Sequence, residues 1–248
     1  MKKVAIFVEG YTEFYFIERL IEEIAGWGQV RFHLAQQHAG MLNILKTTGA
    51  PEEVAILTIM LVNCCGDGSV KSFILERKSR LIQQGYTYVL GLQDLYPKTL
   101  ENLEKFKTGI STGLEDPDIK IEICIAVAEV ESWFLNEASH FVKINQTLTG
   151  EFIKSSVGFH PVDDCAEKTV RHPARMLHDI YALVGDQYKK KEDDIKRLVG
   201  ILDYGELYET VRSKSDSLDF FFARVDSFSK LKTLPRLLKS TSPSSSPR

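Results

Sequence analysis

Five carboxylates stand at or near the ends of three apolar segments of the chain. They are Glu9 and Glu13 after VAIFV, Asp94 after VLGLQ, and Glu129 and Glu131 after CIAVA. Carboxylates gathered in one place repel one another, and the usual compensation is a hard divalent cation with oxygen ligands, most often Mg²⁺. Such an ion polarises a phosphoryl oxygen and lowers the pKa of a bound water. The residue types therefore predict metal-assisted chemistry on a phosphate, provided that the fold brings the three segments together.

An α/β fold with a mainly parallel sheet flanked by helices would meet that condition. Apolar, strand-like runs alternate with helical spacing over the first 140 residues, and this alternation is typical of parallel strands joined by right-handed crossovers. The C-terminal ends of parallel strands face the same crevice, where ligands bind. The strands are predicted at 3–8, 30–35, 53–63, 86–92 and 119–128.

Two details of this α/β region are predicted from short segments. Thr12 is the expected N-cap of the first helix, because its hydroxyl can accept a hydrogen bond from a free backbone N–H. Strands 30–35 and 53–63 are expected to form an antiparallel insertion, since the segment between them is short and polar.

The pattern changes after about residue 140, where strand signals stop. Residues 166–184, 188–203 and 205–232 carry helical spacing. We therefore expect an α/β domain over 1–140, a helical C-terminal appendage over 141–238 and a disordered, low-complexity tail over 239–248. Every charge beyond Asp226 is positive. A solvated tail is the plain interpretation, and a weak tether for nucleic acid is the alternative.

Composition limits the partners. The 248 residues carry 31 Lys and Arg against 34 Asp and Glu, a formal net charge of -3, which excludes indiscriminate coating of nucleic acid. Any contact with DNA or RNA must therefore be local. No stretch has the roughly 20 apolar residues of a membrane-spanning helix, so no membrane partner is expected. The four cysteines form no disulfide framework, and this usage indicates reduced thiols in a cytoplasmic protein.

A purely local explanation of the carboxylates is also open. Acidic residues are common in first helical turns, where Glu13, Glu129 and Glu131 would favour the helix dipole by a few tenths of a kcal/mol each. Glu9 is harder to explain in this way, because it ends an apolar strand and precedes a glycine that allows a sharp turn.

The segment Val8-Glu9-Gly10-Tyr11-Thr12-Glu13 resembles the E-G-x-T-E opening of the TOPRIM fold, the catalytic domain of topoisomerases, bacterial primases and overcoming-lysogenization-defect (OLD) nucleases. Asp94 is placed like the first aspartate of that family's D-x-D motif. Together with Glu129-x-Glu131-x-Trp133, the resemblance is closest to small bacterial TOPRIM-like proteins related to the OLD group. It covers about the first 140 residues.

The resemblance implies roles at matching positions. Glu9 would be a general acid or base, or a metal ligand; Asp94 would bind the metal, and Glu13 would be a second ligand. The second D-x-D position holds Tyr96 instead of a carboxylate. A phenol with a pKa near 10 is a poor Mg²⁺ ligand at neutral pH. Either Glu129 and Glu131 supply the missing oxygens, or the site is weakened or inactive.

Three further features have two interpretations each. Arg171 and Arg175, near the expected start of a helix, could hold phosphate, although a solvated face is the plainer interpretation. Lys189–Lys191, followed by three acidic residues, is interpreted as a charge-balanced helix start rather than a basic patch. Trp133 is expected in the core, with base stacking as the alternative.

The sequence therefore favours an enzyme that hydrolyses phosphodiester bonds of DNA or RNA with Mg²⁺ or Mn²⁺, and the resemblance suggests a setting in bacterial defence. The alternative is a non-catalytic module of the same fold that binds nucleic acid, nucleotide or a partner protein. Phosphoryl transfer on a small nucleotide and assembly into a homodimer also stay open.

Overall fold

A computed structural model describes residues 1–25, 28–38, 41–66 and 70–229. Its centre is a six-stranded sheet in the order β3-β2-β4-β1-β5-β6, parallel except for the β2–β3 pair. The predicted α/β class is thus confirmed. The strands are β1 Lys2–Val8, β2 Val30–His38, β3 Met41–Gly49, β4 Leu57–Asn63, β5 Tyr88–Asp94 and β6 Lys120–Ala126.

Helices flank the sheet, and after β6 the described chain contains helices joined by loops and no further strand. They are α1 Tyr11–Ala25, α2 Val70–Gln83, α3 Leu103–Ser111, α4 Glu131–Asn136, α5 Ser139–Ile144, α6 Gly150–Val157, α7 Ala166–Thr169, α8 Pro173–Ala182, α9 Glu192–Ile201, α10 Tyr204–Glu209 and α11 Asp216–Ser229. Two short 3-10 turns precede α3 and α11. Among the described helices, none combines the length and the apolar character that crossing a bilayer requires.

The register of the parallel strands aligns their C-terminal ends. Val8 of β1 lies opposite Leu92 of β5, and Asp94 of β5 lies opposite Ala126 of β6. The chain therefore leaves β1, β5 and β6 at the same edge of the sheet, as parallel strands require. This edge carries the predicted acidic residues.

The expected antiparallel insertion was wrong. β2 and β4 pair in parallel, and the antiparallel partner of β2 is β3, a strand that the sequence analysis missed. β3 is an edge strand, and none of its side chains is fully buried. Its sequence therefore lacks the continuous apolar run by which β1 and β4 are recognised.

The two faces of the sheet carry different cores. The alternate residues Ala5 and Phe7 of β1 pack with Val70 and Ile74 of α2 on one face. On the other face Val4, Ile6 and Val8 belong to a larger core that includes α1 and residues of helices from α4 to α11. The helical C-terminal part therefore packs directly on the sheet.

The predicted long C-terminal helices are divided into shorter ones. The segment 166–184 forms α7 and α8, and 205–232 contains α10, a 3-10 turn and α11. The segment 188–203 becomes helical only at Glu192, because Lys190 adopts a left-handed backbone conformation with φ 54°. The expected tail at 239–248 and the positive charges beyond Asp226 lie outside the described residues.

Candidate metal centre

The acidic residues meet where β1, β5 and β6 end. Glu9 follows β1, Asp94 is the last residue of β5, and Glu131 opens α4 after β6. Between β6 and α4 the chain turns at Ala128, a non-glycine residue with φ 60°. The left-handed conformation of Ala128 costs an L-residue about 1 kcal/mol. This turn directly precedes Glu129.

Three carboxylates form a compact group. Asp94, Glu129 and Glu131 each offer an oxygen, and these oxygens lie within 4.8 Å of one another. Oxygen ligands of one Mg²⁺ or Ca²⁺ stand about 2.0 to 2.6 Å from the ion, so ligands of a shared ion are separated by no more than about 5 Å. The spacing therefore fits a single divalent cation.

Glu131 is the most deeply placed of the three. Its side chain is fully buried, and its Oε1 accepts hydrogen bonds from the Thr12 hydroxyl at 3.3 Å and the Tyr188 hydroxyl at 2.8 Å. Its Oε2 has no hydrogen-bond partner among the described residues. A buried carboxylate oxygen without a partner costs free energy. A bound cation would satisfy it, so the donor set fits the ion chemically as well as geometrically.

Glu129 joins the cluster to the helical part of the chain. Its Oε2 accepts the backbone N–H of Ala174 at 3.0 Å, in the first turn of α8, and its Oε1 lies 3.0 Å from Lys190 Nζ. The local explanation of Glu129 is thus partly correct, because it binds a helix N-terminus. That helix is α8, more than 40 residues away along the chain, and not the helix that Glu129 precedes.

Glu9 and Asp94 are joined through the backbone. The Asp94 N–H donates to Glu9 Oε2 at 3.1 Å, and the Val130 N–H donates to Asp94 Oδ1 at 3.2 Å. These bonds fix both carboxylates to neighbouring strand ends. Glu9 is nevertheless not in the compact group of three.

Glu13 lies beside the group and has a local role as well. Its Oε2 accepts the Gly10 N–H at 3.0 Å, as in a capping box, because α1 begins at Tyr11 and Gly10 precedes it. The predicted N-cap, Thr12, was wrong. Thr12 lies inside the first turn, where its hydroxyl donates to Glu131 instead.

The pKa values of two carboxyl groups are raised by burial and by the negative charges around them. Burial, followed by the charges of Glu13 and Glu131, raises the pKa of Asp94 well above its usual range. Burial and the charge of Glu131 raise the pKa of Glu13 to about 7. Without a bound metal ion Asp94 and Glu13 therefore favour protonation, even beside the charge of Lys190, since carboxylates in a shared buried site cannot all ionise cheaply.

Lys190 is the positively charged side chain that the described part of the chain places in ion-pair contact with the cluster. Its Nζ lies 3.0 Å from Glu129 Oε1 and 3.1 Å from Glu131 Oε1. Burial lowers its pKa, but the charges of Glu131 and Glu129 outweigh burial and raise the pKa overall. The sequence analysis missed Lys190 and Tyr188, because it assigned both to a helix that in fact begins at Glu192.

The remaining candidate residues lie around this centre. Tyr96 is exposed and stacks edge-on against His172. Arg171 and Arg175 are exposed next to and within the first turns of α8, and Arg175 forms an ion pair with Asp179 at 2.9 Å. Their phosphate-binding role stays a prediction.

Trp133 is fully buried, as expected for a core residue, so base stacking is excluded in this conformation.

A cavity with charged side chains in its lining opens beside the carboxylates. Its volume is about 400 Å³, and its lining includes Glu9, Glu13, Asp94 and Lys190. Asn63, at the end of β4, also borders it. Larger grooves of about 750 and 1110 Å³ are lined by other residues and do not reach the cluster. The cavity is therefore the place where a ligand could meet both the carboxylates and a positive charge.

Comparisons with known proteins add little to this geometry. No protein-family model and no curated protein sequence matches the chain. Among solved structures, a hypothetical protein from Pyrococcus horikoshii OT3 is 14% identical, with a TM-score of 0.46 over 91% of this chain and 100% of its own. A "putative cell surface hydrolase" from Lactobacillus plantarum WCFS1 is 11% identical, with a TM-score of 0.33 over 90% of this chain and 97% of its own. Likenesses this distant carry no argument about function.

Proposed function

We propose that the protein is a divalent-metal-dependent phosphodiesterase that acts on nucleic acid. The observation that carries the proposal is the group of Asp94, Glu129 and Glu131, with ligand oxygens within 4.8 Å of one another and with the buried Oε2 of Glu131 left without a partner. The resemblance of the Glu9–Glu13 segment to the TOPRIM opening supports the same chemistry.

Asp94, Glu129 and Glu131 would hold Mg²⁺ or Mn²⁺, and Glu13 would add negative charge beside them. The ion would polarise a phosphoryl oxygen and lower the pKa of a bound water. Glu9 lines the cavity and is held by the Asp94 N–H, so it is suited to move a proton as general acid or base. Lys190 places a positive charge at the same cavity, where it would attract the phosphate.

Nucleic acid is proposed as the substrate because the site suits a phosphate and the resemblance is to proteins that act on DNA or RNA. Arg171 and Arg175 are exposed near the residue that Glu129 binds in α8, and they would contact the flanking phosphates. The net charge of -3 restricts such contact to a local surface. The cysteine usage supports a cytoplasmic location, and the resemblance alone supports a setting in bacterial defence.

Hydrolysis of labelled single- and double-stranded DNA and RNA with Mn²⁺ or Mg²⁺ tests the proposal. We expect Asp94→Asn and Glu9→Gln to lower the rate by at least about 100-fold, while Glu53→Gln, an exposed carboxylate in the turn before β4, leaves it unchanged. If wild-type protein leaves every substrate intact, or if the two site variants match wild type, the proposed activity is wrong.

The second candidate is a non-catalytic module of the same fold that binds nucleic acid, nucleotide or a partner protein. Two observations favour it: Tyr96 stands at the second D-x-D position, and Lys190 already neutralises part of the cluster. Calorimetric titration with Mn²⁺ separates the candidates. The enzyme requires binding that Asp94→Asn abolishes, whereas the module tolerates its absence.

A further inference from the structure

The position of Lys190 has a consequence for the metal itself. Its ammonium group contacts Oε1 of Glu129 and Oε1 of Glu131, two of the three residues whose oxygens fit a shared cation. An ammonium group at 3.0 and 3.1 Å from these oxygens lies where an ion bound to both would be. Two positive charges at one point repel strongly at low dielectric. Lys190 and a bound ion therefore exclude each other from this position.

The lysine is able to leave. Its side chain is 38% exposed, in contrast to the fully buried Glu131, and it borders the cavity beside the cluster. It extends from the loop between α8 and α9, where its left-handed φ of 54° interrupts regular structure. Tyr188, two residues earlier, donates its own hydrogen bond to Glu131, and this bond does not depend on the lysine. The side chain can therefore swing toward the cavity without unfolding the cluster.

The carboxylate cluster needs a positive charge both in the metal-free protein and in the metal-bound protein. Without one, the buried charge of Glu131 would form no ion pair with the described residues, which is unfavourable in a protein interior. Its Oε1 accepts two hydroxyl groups and the ammonium, while Oε2 accepts nothing among the described residues. The lysine thus compensates the charge but leaves one oxygen unsatisfied, and a directly coordinated ion could satisfy both.

We propose that Lys190 is an exchangeable counter-ion: it holds the carboxylates together in the metal-free protein, and a divalent cation displaces it into the cavity. The inference rests on the proposed metal site and adds a mechanism of regulation. The apparent metal affinity is the intrinsic affinity multiplied by the fraction of molecules in which Lys190 has left the site, and metal binding releases a positive charge beside the place where a phosphate would lie.

Amine footprinting of the full chain tests the exchange directly. The protein is acetylated briefly with and without saturating Mn²⁺, and the modification at each lysine is measured by mass spectrometry. We expect Mn²⁺ to raise the acetylation of Lys190 several-fold. Lys189, which is exposed and adjacent, is the internal control and should not change. Unchanged or lower reactivity of Lys190 with Mn²⁺ would overturn the proposal.

Calorimetric titration with Mn²⁺ separates this inference from the proposed function. Lys190→Met removes the competing charge, so the variant should bind Mn²⁺ about 10- to 100-fold more tightly than wild type does. This is the factor expected if Lys190 occupies the metal position in about 90 to 99% of wild-type molecules. Lys189→Met should match wild type. Equal affinity of Lys190→Met and wild type refutes the exchange alone, and absence of binding in both refutes the metal site.

Discussion

Replacing Glu13 by glutamine should make the metal-free protein more stable at alkaline pH. Glu13 is almost fully buried, and its Oε2 accepts the Gly10 N–H at 3.0 Å. A glutamine oxygen can accept the same hydrogen bond. The substitution therefore removes a negative charge from the cluster and leaves the N-terminus of α1 capped.

The size of the effect follows from the pKa of Glu13. Burial and the charge of Glu131 raise it from 4.5 to about 7. The folded state therefore holds the Glu13 proton more tightly than the unfolded chain does. The stabilisation that this tighter proton binding gives the folded state is complete below about pH 4.5. It is lost as the pH rises through about 7. At about 1.4 kcal/mol for each pKa unit, the loss is about 3 kcal/mol.

Urea unfolding in EDTA at pH 5 and pH 8 measures the difference. At pH 5 the free energy of unfolding of Glu13→Gln should lie within about 1 kcal/mol of wild type, because Glu13 is mostly protonated there. At pH 8 the variant should be more stable by about 3 kcal/mol. Glu53→Gln, which removes an exposed carboxylate, should show no comparable gain. If Glu13→Gln gains nothing at pH 8, or gains as much at pH 5, the cluster is not electrostatically strained as described.

Three further changes test other parts of the molecule. Trp133→Phe loses the indole N–H that donates to Glu167 at 3.0 Å and to Ser217 at 2.8 Å. The free energy of unfolding, measured in urea, should therefore fall by about 2 to 4 kcal/mol. If the variant instead loses nucleic-acid affinity without that fall, the core role of Trp133 is contradicted. Arg171→Ala should weaken nucleic-acid binding and lower the slope of log K against log salt by about 1, and an unchanged slope would exclude a phosphate contact. Saturating Mn²⁺ should raise the melting temperature of wild type at pH 8 but not that of Asp94→Asn, and equal shifts would show that the ion binds elsewhere.

The convergence of the carboxylates was predictable from sequence, because it depends on local patterns and one general rule. Buried strands such as β1 and β5 are recognisable as apolar runs, and parallel strands end at one edge of the sheet. Glu9 and Asp94 could therefore be placed near each other although 85 residues separate them. The compact group itself required the turn at Ala128, which no pattern in the sequence indicates.

The contribution of the helical part was not predictable in this way. Lys190 is 61 residues from Glu129 and reaches it from a loop whose left-handed turn interrupts the apparent helix. In sequence, the positive charges of Lys189–Lys191 are balanced by the three acidic residues that follow them. This local balance gives no indication that Lys190 contacts carboxylates far away along the chain. β3 was missed for a related reason, because an edge strand with exposed side chains has no buried pattern.

The local and the functional explanations of the acidic residues are not exclusive, and the structure separates what each accounts for. Capping explains why a carboxylate is favourable at Glu13, which binds the Gly10 N–H, and at Glu129, which binds the N-terminus of α8. It does not explain Glu131, which is fully buried with one oxygen unpartnered among the described residues, or Asp94, whose pKa is raised by burial and by the charges of Glu13 and Glu131. A structural role alone would be served better by neutral side chains at these two positions, since buried charges are costly unless they are fully paired. The presence of carboxylates at these two positions is therefore the strongest reason to expect a cation.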